Sequence, residues 1–267
     1  IHGTFISGLV GEVGDNGKGG VGVNWRVGLM PLKMVDDGTC GLTDLTIAEA
    51  IDYATDNGAD VINASWHFTT YSPRVAASLQ GAAAAGVLLV VAAGNDAADV
   101  DATSTSYPIW MSTPNDIVVA ATNSNDRLAG FSNYGASMVD LAAPGANVRS
   151  TGISSTARYD NGYGTSYAAP MVAGAAALVW SAYPMLSAGE VRSSILDGVD
   201  PLSNLDCASV TKCVQTGGRL SLPGAMAQAE AWATRVSLVG AELIVDDADE
   251  GDGDGVAELT ERARLVY

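Results

Sequence analysis

The sequence predicts an α/β fold built on a doubly wound parallel sheet, and three observations carry that expectation. Short apolar runs bounded by turn residues, above all VLLVVAA at Val87–Ala93, read as strands buried on both faces. Segments such as Thr43–Asn57 place apolar residues three and four apart and read as helices with one buried face. The two kinds of segment alternate along the chain, which implies right-handed βαβ crossovers. Ligands of such sheets bind at the carboxyl ends of the strands.

The chain opens with His2-Gly3-Thr4 and an apolar, Gly-containing run, which sets an imidazole at the start of a buried helix. Val27 to Asp36 reads as a strand. The helix Thr43–Asn57 takes Thr43 or Asp44 as N-cap, shows Ile47, Ile51 and Ala54 on one face and stops at Gly58. Asp60 to Ser65 is the next strand. Ser72-Pro73 opens a further helix in the preferred cap-then-proline order, and Gly86 ends it ahead of Val87–Ala93. Asp116–Thr122 and Val139–Ala142 are shorter strands. A small-residue helix runs from Thr165 to Ala182, and another from Ser187 to Asp197 opens with the capping box Ser187-x-x-Glu190. From Arg235 the run VSLVGAELIVDD alternates like a strand, an acidic Gly-rich stretch follows, and ERARLVY reads as one more strand. The expected organisation is one domain over residues 1–233 and the start of a β domain over 234–267.

At 267 residues, 48% hydrophobic, with a mean hydropathy of +0.18, the chain can bury a sizeable core. Its longest apolar run, Gly81 to Gly94, is too short and too Gly-punctuated to cross a bilayer, so no membrane-spanning segment is expected. Thirteen basic against thirty acidic residues give a net charge of −17, which repels phosphate backbones and argues against a nucleic-acid partner. Of three cysteines, Cys207 and Cys213 flank a short polar segment and either close a small disulfide loop or stay as thiols, with Cys40 left over.

The strand DVINAS delivers Ser65 to the carboxyl edge of the sheet, and VLLVVAAGN delivers Gly94 and Asn95 to the same edge one crossover later. YGTSYAAPMVAG then puts Ser166 at a helix start, with Gly164 offering no side chain to block a substrate and Pro170 expected in the first turn. A hydroxyl there sits where free N–H groups favour a developing oxyanion. His2, Asn95 and Ser166 thus supply a base, an oxyanion donor and a nucleophile.

These segments carry a resemblance. His2-Gly3-Thr4 with Gly8, Ala92-Ala93-Gly94-Asn95, and Gly164-Thr165-Ser166-Tyr167-Ala168-Ala169-Pro170 are similar to the His, oxyanion-Asn and Ser motifs of the subtilisin-like serine peptidases, the subtilases. DNGADVINASW, Tyr107-Pro108, FSNYG and LAAPG match further family segments in order, so the resemblance covers Ile1 to about Asp200. It implies an endopeptidase in which Ser166 attacks the scissile carbonyl, His2 shuttles the proton and Asn95 stabilises the oxyanion. The family's third triad member, an Asp on an earlier strand, and its first two strands are expected to lie before Ile1. Protein or peptide substrates, a pro-peptide outside this chain and secretion are further implications. An inactive subtilase acting as a peptide-binding module is the alternative. An α/β-hydrolase fails on sequence, since its G-x-S-x-G elbow would need Gly where Ala168 stands.

Departures from the family pattern mark places to inspect. Phe5 replaces a second His, for which apolar packing is the expected substitute, and Tyr167 stands where Met is common. At the substrate-binding edge Ser65 and Trp66 fit, but His67 and Phe68 replace glycines and are expected to narrow the pocket or tilt the edge; Gly94 and Gly164 complete that surface. GEVGDNGKGG lacks the spacing of a phosphate loop. By resemblance it matches a calcium site with the Asn16 side chain and the carbonyls of Gly14, Lys18 and Gly20 as ligands, against the alternative of a plain Gly-rich turn. In EGDGDGVAELTE, Glu250, Asp252, Asp254 and Glu261 fall at positions one, three, five and twelve of an EF-hand-like calcium loop; an acidic linker is the other reading.

Overall fold

The computed structural model describes residues 2–35, 42–102, 107–111, 113–152, 159–239, 242–244 and 264–266. Cys40 and the acidic candidates Glu250, Asp252, Asp254 and Glu261 lie outside them. Strands β1 (Val61–Ala64), β2 (Leu88–Ala92), β3 (Asp116–Thr122) and β4 (Leu141–Pro144) run parallel and in that spatial order. The hairpin β5 (Ala146–Thr151) and β6 (Tyr159–Tyr163) stands apart, and the short strands β7 (Asp200–Pro201) and β8 (Gly218–Arg219) close the far side of the sheet, β8 parallel to β4. Helices α1 (His2–Gly11), α2 (Asp44–Asp56), α3 (Pro73–Ala84), α4 (Thr165–Ala182), α5 (Ala188–Asp197) and α6 (Leu222–Val239) complete the main body.

Strand alternation splits the core in two. Leu89, Val91, Val118, Ala120 and Ala142 pack on the face carrying α2 and α3; Leu88, Val90, Ile117, Val119, Leu141 and Ala143 pack on the face carrying α4, α5 and α6. Every residue of β2 and β3 is buried, as expected for strands covered on both faces. Local signals set the helix ends. Thr43 caps α2 through a reciprocal bond with Thr46, Ser72 caps α3 ahead of Pro73, and Ser187 with Glu190 forms the capping box of α5. Cys207 and Cys213 are bridged.

Several boundaries differ from the sequence expectation. Residues 27–35 carry no strand: among the described residues β1 has only β2 beside it, and without a ladder partner Leu29 and Met30 stay exposed. β4 starts at Leu141 because its register with β3 begins at Val119, while the Val139 and Asp140 carbonyls accept from Gln215 and Thr216 instead. Helix α6 continues through Val239, past the expected boundary at 233/234 and into the run expected to be a strand. Extending an existing helix adds a hydrogen bond per residue, whereas a strand needs a partner. Among the described residues of that run the strand is Glu242–Ile244 (β9), paired antiparallel with Arg264–Val266 (β10).

Asp116, at the head of β3, is buried and accepts from the Thr113 N–H at 2.8 Å. Burial outweighs that bond and pushes its carboxyl from 3.8 up to about 6. A raised folded-state value means the folded chain holds the proton more tightly than the unfolded one. The resulting stabilisation is full below the unfolded value of about 4 and is lost as pH rises through about 6. Asp116→Asn keeps an acceptor for Thr113 and cannot ionise. It is expected to gain on the parent between about pH 4 and about pH 6, by on the order of 2 kcal/mol, read by urea unfolding across that window. An equal margin at both ends would show that Asp116 does not titrate as its burial requires.

Candidate active site

The site is assembled where β1 and β2 end and α4 begins. Past Ala92 the chain turns at Gly94, whose φ of +100° suits glycine and whose position leaves no room for a Cβ, which would lie 2.3 Å from Asn133 Nδ2. Asn133 is buried and shapes this turn. Its Oδ1 accepts from Asp96 N (2.9 Å) and Ala98 N (3.0 Å), and its Nδ2 donates to the Ala93 carbonyl (2.9 Å). No local pattern assigns Asn133 this role, because its partners lie about 35 to 40 residues away.

Asn95 is tied to the start of α4. Its Oδ1 accepts from the backbone N–H of Thr165 (2.8 Å) and from the Thr165 hydroxyl (3.2 Å), and that hydroxyl oxygen accepts in turn from Gly94 N–H (3.0 Å). With its oxygen so engaged, the amide presents Nδ2 as its remaining donor. Gly164 precedes the helix as N-cap with φ +153° and makes no side-chain cap, so the Ser166 N–H in the first turn has no partner within the helix. The Asn95 amide and the Ser166 backbone N–H therefore remain as two donors at the start of α4.

Pro170 lies in the second turn of α4, not the first, and this has a structural consequence. A proline has no N–H to offer the carbonyl four residues earlier, which is that of Ser166. The Ser65 hydroxyl fills the gap, donating to the Ser166 carbonyl at 2.9 Å. In return the Ser166 hydroxyl donates to the Ser65 carbonyl, over a longer 3.4 Å. Ser65, at the end of the strand, and Ser166, the nucleophile candidate, are thus bonded to each other.

His2 begins α1, which packs on α4 and on β5. Phe5 is buried one turn on, its ring 4.5 Å from that of Tyr167, which is the apolar packing expected in place of a second His. The imidazole of His2 stands 5.6 Å from the same Tyr167 ring, beside the nucleophile's neighbour in sequence. Partial desolvation of the ring holds His2 below the ordinary histidine value. A neutral ring is the form that accepts a proton. Among the described residues neither Ser166 nor a carboxylate is hydrogen-bonded to it.

Beyond Ser65, Trp66 stacks on Phe68 (5.8 Å), and Phe68 on Tyr107 (5.8 Å), with the backbones of Phe68 and Tyr107 paired. His67 is exposed and borders a cavity of about 310 Å³ with Leu42, Asp44, Ile47, Phe68 and Tyr71. His67 and Phe68 therefore wall a recess beside the edge.

The Gly14–Gly20 loop is less suited to its expected role. Asn16 Oδ1 accepts from Lys18 N–H at 2.9 Å, and Glu12 reaches across to Gly20 N–H and the Tyr159 hydroxyl. The set Gly14, Asn16, Lys18 and Gly20 supplies one side-chain oxygen and three carbonyls with no carboxylate, short of the six to eight oxygens that calcium takes. By itself it does not fit the ion. Among the described residues no group of three or more His, Cys, Asp or Glu is placed to hold a metal.

With this geometry in place, comparison with known proteins is informative. The family model described as the Subtilase family matches residues 1–217. Subtilisin DY of Bacillus licheniformis is 39% identical over 194 residues, 73% of this chain and 68% of that protein. Thermitase of Thermoactinomyces vulgaris is 36% identical over 202 residues, 76% and 68% of the two chains. Among solved structures, a protease from Pseudoalteromonas arctica superposes with a TM-score of 0.73 at 32% identity, covering 85% of this chain and 70% of that one.

The bond from Ser65 to the Ser166 carbonyl can be weighed directly. Ser65→Ala is expected to cost about 1–2 kcal/mol, because the carbonyl that Pro170 leaves free loses the Ser65 donor. In a Pro170→Ala background the restored helical N–H serves that carbonyl, and the same substitution is expected to cost markedly less. Urea denaturation of the four chains gives the cycle; additivity would break the link between Pro170 and Ser65.

Proposed function

The chain belongs to the subtilase family, and on that premise we propose that it is a serine endopeptidase cleaving peptide bonds in protein substrates. The observation that carries the reading is the Asn95 amide, locked by two Thr165 donors with Nδ2 left over beside Ser166. Ser166 Oγ attacks the scissile carbonyl carbon as His2 takes the hydroxyl proton. Negative charge then builds on the carbonyl oxygen, and Asn95 Nδ2 with the Ser166 N–H stabilises it. His2 returns its proton to the leaving amine, the C–N bond breaks, and water releases the acyl group by the same steps in reverse. Before attack the Ser166 hydroxyl must rotate away from the Ser65 carbonyl toward the imidazole, which its long 3.4 Å bond makes easy.

The substrate is taken to lie as an added strand along the backbone at Ser65, Trp66 and His67, with Gly94 and Gly164 leaving room for it. The recess walled by His67 and Phe68 would select among side chains there. The mechanism needs a carboxylate to orient His2, and the proposal takes it from an Asp outside this chain. Secretion belongs to the same proposal, as does a pro-peptide. Among the described residues no helix is long and apolar enough to cross a membrane. Calcium has no part in the chemical steps.

A second reading, an inactive peptide-binding module, is favoured by one observation: no carboxylate bonds His2 among the described residues. Hydrolysis of a chromogenic peptide by the longest chain encoded with this sequence separates the two. Ser166→Ala is expected to abolish turnover while leaving peptide affinity in place. Asn95→Ala is expected to lower kcat by about 10²–10³ with little change in KM, a magnitude measured for this donor in a subtilisin and taken over from there. Binding without hydrolysis in the parent would establish the module, and unchanged hydrolysis in Ser166→Ala would remove Ser166 from the mechanism.

A further inference from the structure

The imidazole of His2 has one side-chain neighbour of defined geometry among the described residues, and it is Tyr167. The ring centroids are 5.6 Å apart with planes at 54°, a spacing and tilt typical of attractive aromatic pairs. Tyr167 is itself held. Phe5 lies 4.5 Å away on a plane tilted by 57°, and Tyr167 and Met171 pack with Phe5, Leu9 and Val148 as a small cluster separate from the two main cores. On the β6 side the ring comes so close to Gly162 that a Cβ there would stand 2.7 Å from Tyr167 Cζ and 2.8 Å from Cε2. A glycine in the hairpin, a buried phenylalanine in α1 and the helix α4 together fix where this ring sits. The phenol hydroxyl makes no hydrogen bond among the described residues, so it is the ring that is held.

We propose that Tyr167 is a positioning residue for His2: its ring, clamped between Phe5 and Gly162, forms the wall against which the imidazole is held for proton transfer with Ser166. This rests on the reading of His2 as the general base. The physical reason is that α1 presents His2 on its first turn and on its exposed side, where a side chain with two free torsions samples several rotamers unless something limits it. A carboxylate on one ring nitrogen fixes tautomer and direction, and a flat apolar wall restricts the swing about that bond. Because Tyr167 directly follows Ser166 in the same helical turn, wall and nucleophile move as one body. The dependence of rate on alignment converts a small loss of order in the imidazole into a loss of kcat.

Three variants of the full chain test this. Tyr167→Leu, which keeps bulk without a planar face, is expected to lower kcat about three- to tenfold with KM changed less than twofold. Tyr167→Phe keeps the ring and is expected to restore most of that loss. Gly162→Ala displaces the ring from its place beside His2. It is expected to lower kcat in the Tyr167 chain and to do nothing further once Tyr167 is Leu. A readout independent of turnover comes from the two histidines, His2 and His67. In carbon-bound proton NMR spectra the His2 ring resonances should shift in Tyr167→Leu, with those of His67 unmoved and those of Tyr167→Phe close to the parent.

Unshifted His2 resonances in Tyr167→Leu, or a Phe variant as impaired as the Leu variant, would overturn the proposal. Should Tyr167→Leu fail to fold, Gly162→Ala alone decides, through the same two readouts: unchanged kcat and unshifted His2 resonances count against it. Ser166→Ala, run alongside, judges the catalytic reading separately. Its effect on hydrolysis says nothing of the contact between Tyr167 and His2, which the NMR shift reports whatever the chemistry.

Discussion

Three hydrogen bonds join the end of β2 to the start of α4: Thr165 N–H and hydroxyl to Asn95 Oδ1, and Gly94 N–H to the Thr165 hydroxyl. Everything about the site follows from that closed set. It sets the level at which α4 begins relative to the sheet, aims the Asn95 amide, and leaves the Ser166 N–H at a helix end without a helical partner. Thr165 is fully buried and contributes both a donor and an acceptor. Its loss would strand polar groups where water cannot reach them.

A second tie runs from the same helix to β1. Pro170 breaks one rung of α4 and Ser65 supplies the missing donor, so a helix defect becomes the means of holding the end of β1 against Ser166. Deeper in the sheet, at the opposite ends of the strands, Arg192 of α5 bonds the Asp140 carboxylate at 2.7 Å and the Asp116 carbonyl at 2.6 Å. Burial raises the Asp140 carboxyl in spite of the Val118 N–H and Arg192 beside it. The charge is carried at a cost, at the end of the sheet away from the chemistry. The active end is held instead by neutral bonds, which do not change with pH near neutrality.

His2 is treated differently from the other catalytic candidates. Asn95 and Ser166 sit on elements rooted in the main cores, whereas His2 rides on α1, whose buried Phe5 and Leu9 pack in a small satellite cluster. Among the described residues the Tyr167 ring stands beside its imidazole. Phe5 and Tyr167, both departures from the family pattern, are partners in the same cluster.

Residue pattern alone determined the strands β1 to β3 and the capped helices α2, α3 and α5, and it singled out His2, Asn95 and Ser166 as the candidates on which the proposed chemistry rests. Those signals are local: a buried strand is apolar throughout, and a cap lies within four residues of what it caps. The run 27–35 and the alternation after Arg235 misled because a strand exists only through its partner, which a local pattern does not contain. Nor could the sequence place Pro170's missing bond opposite Ser65, Asn133 beneath Gly94, or the Tyr167 ring between Phe5, Gly162 and His2. Each joins residues far apart in the chain, and only tertiary packing decided that they meet.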